Sequence, residues 1–409
     1  MQNYDSSPAL CTVFQLISQD TCEKDILEGL HQLVKNDMNL NSVYGQCTAL
    51  HNSNDNGMYH NYSETVGTQH QQTMSYSQPV QCPGTCLSIL QAACLYKRVE
   101  SVRFLLQHNV NLSYKDQISG CTAMFYAVTI VPTACASQNN STVLNSILSI
   151  LKLLLEHGAD ISDTDRTGGT LLHHLVFSAY FQKIRNNSMC YEQNFPGLHC
   201  EVLRYCFPPI LDFLYTNVAF RILQIVNHVD ADGYTALMRA AQNNPWMIPP
   251  MLQQFHTYLN LSKRDLFGNT VMHILFHPIL PIQPEAFQSG TDVMLFQRNL
   301  IRNCQRSGAL RAILATKFDF LAKNAMGATC FDNLNTQLLA QNVQQGTNAQ
   351  MTAFQSLLTE EQRDLKICIE LLDPISKQNT RDKVFEFMSA NHHLLPENVH
   401  QQIATFAMM

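Results

Sequence analysis

Charge is scarce in this chain: Asp, Glu, Lys and Arg supply 14% of its 409 residues, against about 25% in an average soluble protein. The 26 basic residues are dispersed among 32 acidic ones, for a net charge of −6. That leaves no concentrated basic face for DNA or RNA and no polybasic patch for a membrane surface. No run reaches about 18 uninterrupted apolar residues, so no transmembrane helix is expected. Met1 to Asp20 has no basic start ahead of its short apolar stretch, and a cleaved secretory leader is not expected either. Gly-X-Gly-X-X-Gly, Gly-Lys-Ser/Thr, His-Glu-X-X-His and Gly-X-Ser-X-Gly are all absent. Nucleotide, zinc-protease and serine-hydrolase readings therefore lose their sequence support, and the chain is not expected to be an enzyme.

The 14 cysteines do not form a framework. Many, such as Cys94, Cys121, Cys330 and Cys368, sit inside apolar periodic segments, where reduced Cys behaves as a small hydrophobe. A reducing compartment, cytoplasm or nucleus, is expected. Cys82 and Cys86 have three residues between them, not the two of a redox motif. The best metal candidates are Cys190, His199, Cys200 and Cys206. Their gaps are irregular and no second Cys-X2-Cys half exists, so no metal and no cofactor is assigned. His173-His174 reads as one turn residue and one helix-face residue.

What is present is repetition. Five glycines are followed two residues later by Thr and then by two mostly apolar residues, at Gly120-Cys-Thr122, Gly168-Gly-Thr170, Gly233-Tyr-Thr235, Gly268-Asn-Thr270 and Gly327-Ala-Thr329. A sixth copy, Gly45-Gln-Cys-Thr48-Ala-Leu-His51, carries one extra residue. Asp116, Asp165, Asp230, Asp265 and Asn324 stand three or four residues before five of these glycines. Gly can take the left-handed conformation of a hairpin tip, and Thr can cap the helix that begins there. A second helix follows with apolar residues at i, i+3 and i+4, as in Val102, Leu105 and Leu106. In the next copy it ends at Gly158-Ala159-Asp160.

Ser149 to Ser162, passing into Asp165-Arg-Thr-Gly-Gly-Thr-Leu-Leu-His173, resembles one ankyrin repeat running into the next. Ser88 to His108, running on to Asp116, is similar. Helix starts at Thr48, Ser88, Thr122, Thr170, Thr235, Thr270 and Thr329 make about seven degenerate repeats, two of the steps lying close to the family period of about 33. The family's Thr-Pro-Leu-His survives as Thr and His only at His51, His173 and His273. The resemblance implies an all-α solenoid whose surface binds proteins.

Polar or Pro-rich insertions are expected near 131–142, 178–209 and 277–291. Residues 1–82 are expected to hold N-terminal capping helices, the first degenerate repeat and a polar loop. The array spans 83–335, a polar spacer 336–363, and a helical module 364–409. In that module Leu365, Cys368, Ile369 and Leu372 share one face ahead of Asp373-Pro374. Val384, Phe387, Leu395, Pro396, Val399 and Ile403, with Arg381 before them, are similar in order to a SOCS box. The family's elongin-contacting Leu and Cys fall at Ser376 and Thr380. The Leu-Pro-Glu start also resembles an F-box-like module. Either resemblance implies the substrate-recognition adaptor of a cullin–RING ubiquitin ligase, recruiting elongin B/C or Skp1 with a cullin. The alternative is a scaffold or inhibitor of the IκB kind, or a host-directed effector, that masks a partner.

Overall fold

In the computed structural model the described residues are 8–18, 21–41, 87–130, 139–176, 198–277, 305–334, 363–375, 377–378 and 382. They are helical, with two isolated antiparallel bridges at hairpin turns, Thr164 with Thr170 and Val229 with Thr235. The chain divides into two compact units, Met1–Ala236 and Leu237–Met409.

The first unit opens with α1, Pro8–Ser18, and α2, Glu23–Lys35. Leu10, Val13, Phe14 and Ile17 are buried on α1, and Ile26, Leu30 and Leu33 on α2. Both sets keep the i, i+3, i+4 spacing that makes one apolar face. Two helices of the next repeat follow, α3 at Ile89–Leu95 and α4 at Val99–Gln107. α1 packs on α3 and α2 on α4. The slot beside α3 is thus taken by the N-terminal pair, and the copy around Thr48 and His51 lies outside the described residues. Glu23 accepts from the Ser101 N–H at 2.9 Å, supplying the cap that Arg98 does not provide at the start of α4.

Next come α5, Ala123–Val128, and α6, Asn140–Glu156. α3 packs on α5 and α4 on α6, so first helices stack on first helices and second on second. The expected insertion near 131–142 is shorter at its end. Asn139 accepts from the Thr142 N–H at 2.8 Å and starts α6, because Val143, Leu144 and Ile147 extend the apolar stripe backwards. A short helix, α7 at 171–176, is followed by α8, Leu198–Ile225. The segment 198–209, expected within an insertion, is therefore helical through Pro208 and Pro209. Two lost backbone donors are offset there by burial of Cys206, Phe207, Ile210, Leu211 and Leu214. α8 breaks at Val218.

The second unit contains α9, Ala236–Asn243, a 3-10 turn at Pro245–Met247, α10 at Ile248–Phe255, α11 at Val271–Leu275 and α12 at Arg306–Leu314. α10 and the 3-10 turn pack on α12. A short helix, α13, spans 330–334, and α14 spans 363–375. Leu365, Cys368 and Leu372 are buried on α14 as their spacing predicts. The helix runs through Asp373-Pro374 instead of stopping there, forgoing the hydrogen bond that the Pro374 nitrogen cannot give to the carbonyl four residues back. The Asp364 carboxylate accepts from the N–H and hydroxyl of Ser307 at the start of α12. The first helix of the C-terminal module thus caps the second unit.

Candidate interaction surface

Between successive helix pairs the chain makes one turn five times among the described residues. An Asp or Asn side chain accepts backbone N–H groups two and four or five residues on. Asp116 takes Ile118, Ser119 and Cys121. Asp165 takes Thr167 and Gly169, and Asp230 takes Asp232 and Tyr234. In the second unit Asp265 takes Phe267 and Asn269, and Asn324 takes Met326 and Ala328. Such side-chain-closed turns explain why only Asp or Asn stands at this position. Each tip glycine has a positive φ, from 70° at Gly120 to 79° at Gly233.

Adjacent tips are tied together by backbone hydrogen bonds. Arg166 N–H donates to Ser119 O at 2.8 Å and Ala231 N–H to Thr167 O at 2.8 Å. In the second unit Ala325 N–H donates to Phe267 O at 3.0 Å. Close approach leaves no room for a side chain at the Gly268 tip: a Cβ there would stand 2.8 Å from the Ala325 nitrogen.

A second tie lies beneath the tips. His173 Nδ1 accepts from the Thr170 N–H at 3.1 Å, so the proton sits on Nε2, which donates to Tyr234 O at 2.9 Å. His273 repeats this with Thr270 and Ala328 O. Gln91 does the same work where no His exists. Its carbonyl accepts from Ser88 N–H at 2.9 Å, and its amide donates to Cys121 O at 2.8 Å. The signal for this was Ser88-X-X-Gln91, a capping-box spacing, missed as a member of the His series. At Thr122 and Thr235 the third helical residues are Phe125 and Met238, which have no donor to send forward. Asp332 holds Thr329 N–H at 2.7 Å, but a carboxylate has no proton to reach a next repeat.

The tips differ in character. In the first unit they carry exposed Gln117, Arg166, Thr167 and Asp232. In the second they carry Leu266 at 72% exposure, Phe267 at 56% and Met326 at 87%. Arg264 and Lys323 are exposed beside them, and Arg264 Nη1 donates to the carbonyls of Gly268 and Lys323, locking the two tips side by side. Scattered exposed apolar residues are ordinary; a contiguous group with a polar rim marks a contact site.

The sequence-nominated partner-binding residues Val384, Phe387, Leu395, Pro396, Val399 and Ile403 lie outside the described residues. So does Cys190, and nothing is described of the His199 and Cys200 side chains; Cys206 is buried in α8. His173 sits in the repeat's turn network as expected. His174 lies on a face of α7 and reaches the preceding repeat: its Nε2 lies 2.8 Å from Thr129 Oγ1, and its ring meets Phe125 edge-on. Burial pushes its pKa down to about 4. Among the described residues no helix is long and apolar enough to cross a membrane.

No family model matches the chain. A putative ankyrin repeat protein of Acanthamoeba polyphaga mimivirus is 24% identical over 211 residues, 46% of this chain and 26% of that protein. The chain therefore spans about a quarter of that relative's length. Among solved structures, the ankyrin repeat domain of Bcl-3, a member of the IκB protein family, is 14% identical, with 81% of this chain and 95% of that one covered and a TM-score of 0.41. A chain from the complex of a predatory endopeptidase of Bdellovibrio bacteriovorus with its immunity protein is 18% identical, covering 66% and 92%, with a TM-score of 0.36. Both TM-scores are low, and the architecture rests on this chain's own geometry. Stacked helix pairs, side-chain-closed turns and the Thr-to-His cap are those of an all-α ankyrin-type repeat fold.

Proposed function

We propose that this chain is a non-enzymatic protein-binding module. The observation that carries it is the apolar tip group Leu266, Phe267 and Met326, rimmed by Arg264 and Lys323. Repeat stacks present such tips on a rigid frame, and the charges favour a partner segment with apolar anchors and acidic flanks. The triple variant Leu266→Ser, Phe267→Ser, Met326→Ser tests it in the full chain, by affinity capture from expressing cells and mass spectrometry. The variant should keep its melting temperature, since the residues are exposed, and lose most captured partners. An unchanged partner set would sink the reading.

As the finer reading we propose that the module presents its partner to a cullin–RING ubiquitin ligase, with residues 383–409 recruiting elongin B/C or Skp1. Support comes from the SOCS-box-like or F-box-like order of Val384 to Ile403. The alternative, a scaffold or inhibitor that masks its partner, is favoured by the use of α14 as a cap on its own chain through Asp364. A truncation after Asp382 keeps that cap. A cullin recovered with the full chain and lost on truncation selects the adaptor; equal partner sets select the mask.

A further inference from the structure

Cys121 Sγ, a carboxylate oxygen of Asp165 and a ring nitrogen of His174 all lie within 4.8 Å of one another in the first unit. They come from two neighbouring repeats: Cys121 precedes the Thr122 cap, while Asp165 and His174 flank the Thr170 cap. Tetrahedral zinc with Zn–S near 2.3 Å and Zn–N and Zn–O near 2.0 Å needs ligand separations of about 3.3–3.6 Å. Closing by about an ångström is within the reach of three side-chain torsions.

Each group is prepared for a cation by its surroundings. Thr129 Oγ1 donates to Phe125 O at 2.9 Å, so it accepts from His174 Nε2–H at 2.8 Å. That leaves the lone pair on Nδ1 and fixes the ring, the arrangement that orients metal-bound histidines. Burial keeps the imidazole neutral, the form that ligates. Asp165 spends Oδ1 on Thr167 N–H, Thr167 hydroxyl and Gly169 N–H. Among the described residues Oδ2 has no hydrogen-bond donor. Cys121 is buried and reduced. Lys97 and Asp116 act electrostatically on His174 with opposite signs, and a thiolate with a carboxylate would balance a divalent charge.

The location gives the cluster a purpose. Gln91, His173 and His273 each bridge to the following repeat. Phe125 breaks that series at the junction where the cluster sits. We propose that Cys121, Asp165 and His174 form a three-ligand zinc site that staples these two repeats in place of the missing bridge. A water completes the tetrahedron, and loading releases the Cys121 thiol proton to solvent.

The full chain, stripped with chelator under reducing conditions, is titrated with Co²⁺ as a spectroscopic substitute and, separately, with Zn²⁺ during thermal melts. The wild type should show a thiolate-to-cobalt charge-transfer band that Cys121→Ser loses in part or whole. Zn²⁺ should raise the wild-type melting temperature and leave that of Cys121→Ser unmoved. Asp165→Asn guards against a misfolded Cys variant, because Asn324 closes the same turn with an amide oxygen. Its cobalt affinity should fall by more than the roughly 10–100-fold that losing even an outer-shell partner costs. Superimposable cobalt spectra for wild type and Cys121→Ser, or equal zinc stabilisation of wild type and Asp165→Asn, would overturn the proposal.

Discussion

His173 Nε2 stands 2.9 Å from the Tyr234 carbonyl oxygen, and the tautomer that makes this bond is set by Thr170 on the other side of the ring. One imidazole therefore both starts its own helix and holds the next turn. His173→Ala removes both bonds and leaves the buried Thr170 N–H unmet, whereas the Tyr234 carbonyl keeps the Asp230 N–H at 2.9 Å; the cost is about 1–3 kcal/mol. His173→Gln should recover most of that, as Gln91 performs the same double task. Urea unfolding of the three proteins checks the order.

Acid should weaken the first unit through His174. Burial holds its folded-state pKa at about 4, against 6.5 when exposed, so the unfolded chain binds the proton first. Stability is then full above pH 6.5 and falls as the pH drops towards 4, by on the order of 3 kcal/mol. His273, also lowered by burial, adds in the same direction. In chelator-treated protein, urea midpoints between pH 7.5 and 4.5 should show this slope, and His174→Asn should flatten it.

Two tip glycines separate steric crowding from backbone strain. Both Gly268 and Gly327 have positive φ, 74° and 77°. A Cβ at Gly268 meets the Ala325 nitrogen, whereas one at Gly327 meets nothing within 4 Å. Gly327→Ala should cost only the left-handed penalty of about 1–2 kcal/mol, and Gly268→Ala clearly more. A difference in melting temperature of several degrees between them checks this.

Thiol labelling should follow burial. Cys94 and Cys330 have thiol pKa values pushed up to about 12 by desolvation, and Cys368 is raised as well. Cys22 is exposed. Iodoacetamide at neutral pH, read by peptide mass spectrometry, should modify Cys22 well before these three; early labelling of Cys94 would contradict the packing.

Repetition made the architecture legible. Gly-X-Thr with a preceding Asp or Asn located the five turns of the described residues, and the Val102, Leu105 and Leu106 stripe located a second helix of the repeat, because both signals depend on local chemistry. Less could be read where a bond spans repeats. Nothing near Gln91 in the sequence points to Cys121 thirty residues on, so its part in the His series emerged only from the packing. The same holds for the site: Cys121 and His174 are separated by a whole repeat, and only stacking brings them together. Insertion limits erred at Asn139 and Leu198 for a further reason. Polar and Pro-rich composition reads as loop, yet tertiary burial of Val143 and Phe207 extends a helix into it.

Lys97 has a backbone φ of 59°, and its ammonium donates to the carbonyls of Cys94, Tyr126 and Ala127. A lysine so enclosed is withdrawn from acyl-transfer chemistry while the chain is folded. Acetyl or ubiquityl groups found on Lys97 would date the modification to a time before folding or after collapse, which makes this one side chain a timestamp of the molecule's history in the cell.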